Sequence, residues 1–285
     1  MGGGAEQPAE RSSAAGAPEA RRGTRARHEA LLALLRAGTT NVPELAAGLG
    51  VSPSTVRRDL GRLTRDRKVA RTYGGAVVPE AFHERPVAES ALVRRQAKEA
   101  IAAAAHALVP ENGAVFVDAG TSCAALARRL AAAVPAARGL VVTRGLETAA
   151  ALAEAPELDV VLLGGSVRRL SHGLVGPLTE LALDRLSFAV AFLGADAVDP
   201  ARGIGEPTLE ETAVKERVAA RSHRVAVLAD ATKLSVPAPA WARLPPGWTL
   251  ITDADAPRWV DARCEEESVP LIRASPLVRA SGAGL

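Results

Sequence analysis

The sequence predicts two folds in one chain: a small N-terminal winged helix-turn-helix, and a larger C-terminal α/β domain on a mostly parallel sheet. Three observations carry this. Residues 21 to 75 hold twelve Lys and Arg against four Asp and Glu, a local +8 in a chain of total charge +3, which leaves the remainder at −5. Inside that basic segment a short helical stretch and a glycine-bounded turn lead to a helix opened by Ser52-Pro53. From about residue 111 onward apolar strands alternate with helical stretches, the pattern of a sheet covered on both faces. The expected organisation is a disordered tail over 1–23, the basic head over 24–79, a linking helix within 80–110, the α/β domain over 111–275 and a flexible tail over 276–285.

With 48% hydrophobic and 24% charged residues the chain has the composition of a soluble globular protein. Its longest apolar stretches are interrupted by Arg, Lys, Glu or Pro, so no run approaches the roughly 20 apolar residues that spanning a membrane needs. Residues 1–23 mix Gly, Ala, Pro, Ser and charge without the apolar centre of a signal peptide. Cys123 and Cys264 are too few for a disulfide framework and too far apart for a clustered metal site. We expect both to be small core residues in a cytoplasmic protein that needs no metal or cofactor. Because Tyr73 is the basic segment's one aromatic, base-stacking platforms for single strands are missing and duplex DNA is the better polyanion.

In the head, Leu31, Leu34 and Leu35 form a helical stripe over 25–37, ended by Gly38. A second short helix follows Asn41, with Pro43 near its start and Leu45 and Leu49 four apart. Ser52 caps a third helix over 54–65, whose Val56, Leu60 and Leu63 face inward. That leaves Ser52, Ser54, Thr55, Arg57, Arg58 and Arg62 on the outer face or at the positive helix end. Such side chains suit base edges and phosphates in a major groove. Residues 68–78 alternate around Gly74-Gly75 as a two-stranded wing does, with Arg71 placed to reach a phosphate.

The stretch VSPSTVRRDLGRL followed by ARTYGGAV resembles the DNA-binding head of the DeoR family of bacterial sugar-metabolism regulators. Arg67 stands where that family has Gly before the wing, and Tyr73 where it has His. Membership implies a transcriptional regulator, with repression the family expectation, acting on operator DNA. A homo-oligomer is expected, since one winged helix reads too few base pairs for specificity.

In the α/β domain the strands are expected in AVFV, GLVVT, LDVVLL, FAVAFL and RVAVL, and a long helix over Glu89 to Leu108 links head to body. Ligands of such sheets bind beyond the carboxyl ends of the strands. The residues there are Asp118, Gly120, Thr121 and Ser122, then Thr143, then Gly164 and Gly165, then Asp196. Gly120 to Ser122 open a helix, where unpaired backbone N–H groups favour phosphate. Lys215 or Lys233 would add positive charge, and Asp118 or Asp196 would take sugar hydroxyls.

Residues 82 to 253 resemble the DeoR-type sensor domain in their Asp-x-Gly-Thr, Gly-Gly, Gly-Ala-Asp, Val-Lys and Asp-x-x-Lys landmarks. The resemblance implies a fold similar to ribose-5-phosphate isomerase and a phosphorylated sugar-pathway effector. Arg144 replaces the family's Asn; it either strengthens anion binding or points away as a surface charge. The similar isomerases use carboxylates at positions that here hold Leu193 and Val214. Neither can take a proton, so we expect binding without catalysis and assign no catalytic residue.

Overall fold

A computed structural model of the chain describes residues 16–36, 39, 41–65, 69–72, 75–77, 84–133, 138–234 and 236–275; residues 1–79 and 80–285 form two compact units. Among the described residues no helix is long and apolar enough to cross a membrane.

The head consists of α1 (Gly16–Arg36), α2 (Val42–Leu49), α3 (Pro53–Arg65) and the antiparallel pair β1 (Ala70–Thr72) and β2 (Gly75–Val77). Asn41 caps α2 by accepting the Glu44 N–H at 2.9 Å, and Gly50 ends it in the left-handed conformation at φ 63°. Leu31, Leu35, Leu45, Val56, Leu60 and Leu63 close one apolar core. Two expectations change here. The helix expected from residue 25 begins at Gly16, so residues 16–23 are helical rather than a disordered tail. Ala, Glu and Arg in this segment are strong helix formers, and Pro18 falls in the first turn, where its missing N–H costs nothing. Residues 1–15, Arg67, Tyr73 and the expected tail at 276–285 lie outside the described residues.

The second unit opens with α4 (Val87–Leu92) and α5 (Arg95–His106), in place of the single helix expected over 89–108. Between them Arg94 adopts φ 55°, held by ion pairs to Asp253 and to Asp255, while Lys98 donates to the carbonyls of Ser90 and Val93 at 2.6 and 2.7 Å. The break is therefore built. Nor is α5 a bare connector: Ala100, Ile101, Ala102 and Ala105 are buried against the sheet layer.

Next come β3 (Val115–Val117), α6 (Thr121–Ala131), β4 (Gly139–Thr143), α7 (Leu146–Leu152), β5 (Leu158–Leu162), the short strands β6 (Ser166–Val167) and β7 (Leu174–Val175), and α8 (Pro177–Leu183). The chain continues through β8 (Val190–Leu193), β9 (Ala197–Asp199), β10 (Gly203–Glu206), α9 (Leu209–Ala220), β11 (Val225–Leu228), β12 (Ala240–Ala242), β13 (Thr249–Asp253), α10 (Trp259–Glu266) and β14 (Leu271–Ala274). Seven strands form one parallel sheet in the order β14-β13-β11-β8-β3-β4-β5. Apolar residues cover both faces in two clusters, as continuous Val, Leu and Phe runs require. β6 with β7, and β12-β10-β9, are small antiparallel additions. Cys123 and Cys264 are buried core thiols. Since all seven strands run the same way, their carboxyl ends bring Asp118, Arg144, Gly194 and Asp230 to one edge.

Candidate functional site

In the head the periodicity of α3 separates two faces. Val56, Leu60 and Leu63 are buried, whereas Ser52, Ser54, Arg57, Arg58, Arg62 and Arg65 are exposed and Thr55 is half-buried. Ser52 accepts the Thr55 N–H at 3.3 Å, and its Oγ lies 2.8 and 2.9 Å from the hydroxyls of Ser54 and Thr55. The hydroxyl cluster thus sits at the positive end of α3 with the guanidinium groups along the same outer face. Asp59 does a different job. It is 2% exposed and takes Arg27 at 2.6 Å and His28 at 3.2 Å from α1, so it pins the two helices together. Arg71 lies on β1, paired with Ala76 of β2.

In the α/β unit a cleft of about 80 Å³ opens at the carboxyl edge of the sheet. Gly120, Thr121, Ser122, Asp196, Lys215 and Lys233 line it, joined by residues from α4 and α5. Gly120 is the N-cap of α6 at φ 99° and offers no side-chain cap, so the first N–H groups of that helix are available to an anion.

The floor of the cleft is a buried charge network. Oδ1 of Asp118 accepts from Arg144 Nε at 2.6 Å and from the Ala119 N–H at 2.8 Å, and Oδ2 accepts from the Gly194 N–H at 3.3 Å. Lys215 Nζ lies 3.3 Å from the same Oδ2, 2.5 Å from Glu206 and 2.6 Å from the Gly194 carbonyl. Arg144 reaches Glu211 at 2.5 Å; Glu211 in turn meets Arg168 at 2.9 Å, and Arg168 holds both oxygens of Glu84 at 2.8 Å. Burial works against the charge on Glu211, yet Arg144, Lys215 and Arg168 hold its carboxyl down to about 2. Burial prevails at Glu206, pushing its carboxyl up to about 8 despite Lys215.

This geometry revises several expectations. Asp118 is fully buried with both oxygens engaged inside the protein, so it organises the floor rather than meeting a ligand. Lys215, 4% exposed, is likewise spent on internal partners. Thr143 lies beneath the cleft and accepts the Gly145 N–H at 3.1 Å. Gly164 and Gly165 do not line it: the Gly164 carbonyl accepts from Thr179 at 2.6 Å, and a Cβ on Gly165 would come within 2.2 Å of the same hydroxyl. Glycine is required at 165 by close packing against α8 and β7, whereas a Cβ on Gly164 would meet nothing within 4 Å. Arg144 is not a surface charge: it is buried, bridges Asp118 and Glu211, and lines the cleft.

Sequence reading missed Lys98, which projects from α5 into the cleft wall, and Glu84, Glu206, Glu211 and Arg168. Lys98 was hidden inside an alanine-rich helix read as a connector. Of the cations at the cleft, Arg85 is exposed, and Lys233 is a quarter exposed and paired with Asp196 at 2.9 Å.

Comparison with known proteins covers both units. Residues 27–82 match the family described as the DeoR-like helix-turn-helix domain, and residues 93–254 match the DeoR C terminal sensor domain. The HTH-type transcriptional regulator GlpR of Haloferax volcanii is 34% identical over 68% of this chain and 75% of its own. GolR of Listeria innocua, also an HTH-type transcriptional regulator, is 33% identical over 68% and 76%. The glycerol-3-phosphate regulon repressor of Haemophilus influenzae is 28% identical over 73% and 81%. Among solved structures, ribose 5 phosphate isomerase A from Neisseria gonorrhoeae aligns over 48% of this chain and 52% of that chain, at 20% identity and a TM-score of 0.36.

Proposed function

The chain belongs to the DeoR family of transcriptional regulators, and from that premise we propose a repressor of a carbohydrate-metabolism operon that is controlled by a phosphorylated sugar-pathway metabolite. The observation that carries the DNA-binding half is the two-faced α3: an apolar stripe committed to the core, and hydroxyls and arginines left outward. Ser52, Ser54, Thr55, Arg57 and Arg58 are assigned to the major groove, and Arg62 and Arg71 to phosphates. Two copies acting on paired half-sites would multiply the few base pairs that one head reads.

The effector half is supported by the cleft. A phosphoryl group fits the open helix start at Gly120 to Ser122, with Lys98 and Lys233 beside it and Asp196 available for a hydroxyl. Catalysis by the isomerase route lacks its groups, since Leu193 and Val214 are fully buried apolar residues.

The test begins by selecting duplex DNA from a random pool with the full-length protein. Affinity is then measured against salt concentration, with and without a panel of sugar phosphates and their unphosphorylated sugars. A steep salt slope and a response to phosphates alone support the reading. Equal responses to a sugar and its phosphate would remove the anion site, and isomerase turnover would replace the sensor by an enzyme.

A further inference from the structure

We infer that Glu84 and Arg168 form a latch holding the segment that follows the DNA-binding head against the effector cleft, and that an anion in the cleft weakens it. This rests on the effector reading above. Glu84 lies two residues beyond the match to the helix-turn-helix family, which ends at 82, and before the sensor match, which starts at 93. It is therefore among the first residues after the head, and it also lines the cleft. Its carboxylate grips Arg168 through two bonds of 2.8 Å, a bidentate geometry that gives direction as well as energy. A second clip joins the same two segments, the Val87 N–H donating to the Leu170 carbonyl at 2.8 Å.

The chain of ion pairs Glu84, Arg168, Glu211, Arg144, Asp118 runs from this segment to the residue under the start of α6. A negative charge entering the cleft raises the energy of every carboxylate around it. Asp118 is held by Arg144 and Lys215, and Glu211 by two arginines on a packed helix. Among the described residues Glu84 pairs with Arg168 alone, from residues in neither helix nor strand. Its grip gives way first, and Arg168 then turns wholly to Glu211. The link so made is a defined two-state contact, which is what coupling between distant sites requires.

The experiment has two arms on the full-length protein. In the first, E84Q, R168Q and the double variant are titrated with duplex DNA selected on the wild type, without any ligand, beside the exposed control E89Q. Both single variants should change DNA affinity at least fivefold, in the same direction, with no further change in the double; affinities within twofold of wild type, or additive effects, overturn the latch. In the second, hydrogen exchange is followed in wild type and E84Q with and without inorganic phosphate. Phosphate should protect residues 120–124 and speed exchange over 84–92 in the wild type, whereas E84Q should exchange fast over 84–92 from the outset. Protection at 120–124 with no change at 84–92 overturns the latch and leaves the anion site standing. No protection at 120–124 overturns the anion site, and the latch with it.

Discussion

Arg144 donates from Nε to Asp118 at 2.6 Å with both side chains withdrawn from solvent, so a guanidinium on β4's end is tied to a carboxylate on β3's end beneath the cleft. Removing one partner of such a pair leaves a buried charge without compensation, a loss of about 3–5 kcal/mol. We expect R144M to lose stability on that scale in urea unfolding. R144K, which keeps the charge but not the fork, should recover part of it. A variant as stable as wild type would show that Asp118 and Glu211 find other partners.

The same network sets a pH dependence. Burial holds the Glu206 carboxyl up to about 8, against about 4.3 for an unfolded Glu. Between those values the folded protein keeps a proton that the unfolded chain has released, so this group lowers stability as pH rises through the window. Glu211 works in the opposite sense: held down to about 2, it contributes stability above pH 4.3 or so that is lost as pH falls toward 2. Denaturation midpoints taken from pH 5 to 8 should therefore fall less steeply in E206Q than in wild type. Parallel curves would assign the dependence to other groups.

For the head, R58A should leave the unfolding midpoint unchanged, because Arg58 is exposed and outside the core of α3. Its DNA affinity should fall by about 1–3 kcal/mol if the fork reads a base. If it meets a phosphate, the salt slope should instead flatten by about one. D59A should do the reverse, lowering the midpoint by freeing Arg27 and His28 of α1. Wild-type affinity and slope in R58A would move the recognition surface elsewhere.

Much of this architecture was legible because its signals are local. The stripe of Val56, Leu60 and Leu63 fixes which face of α3 turns outward, and the apolar runs ending in Asp118, Thr143 and Gly194 place the strands. What escaped was long-range. No spacing announces that Arg144 and Glu211, on β4's end and on α9, will meet, or that Arg168 will reach Glu84. A residue just after a strand has several directions to point: Thr121 turns into the cleft, Thr143 under it. The break at Arg94 was hidden because Asp253 and Asp255, which stabilise it, lie far along the chain.

Two glycines that look alike in sequence should separate the binding surface from the scaffold. Gly120 holds φ 99° with no atom within 4 Å of the position a Cβ would take, so G120A has room and suffers only backbone strain. That strain costs about 1–3 kcal/mol, or is relieved by turning the first N–H groups of α6 away from the cleft. Gly165 has no such room: a Cβ there would lie 2.2 Å from Thr179 Oγ1 and 2.7 Å from the Val175 carbonyl. Overpacking of this kind costs about 1–3 kcal/mol through displaced neighbours, away from the cleft lining. Both variants should therefore melt earlier, and only G120A should lose affinity for sugar phosphates by calorimetry. Equal loss of affinity in G165A would bring the β6–β7 region back into the site. Unimpaired binding in G120A would take the phosphoryl group off the start of α6 and leave Lys98 and Lys233 as its anchors.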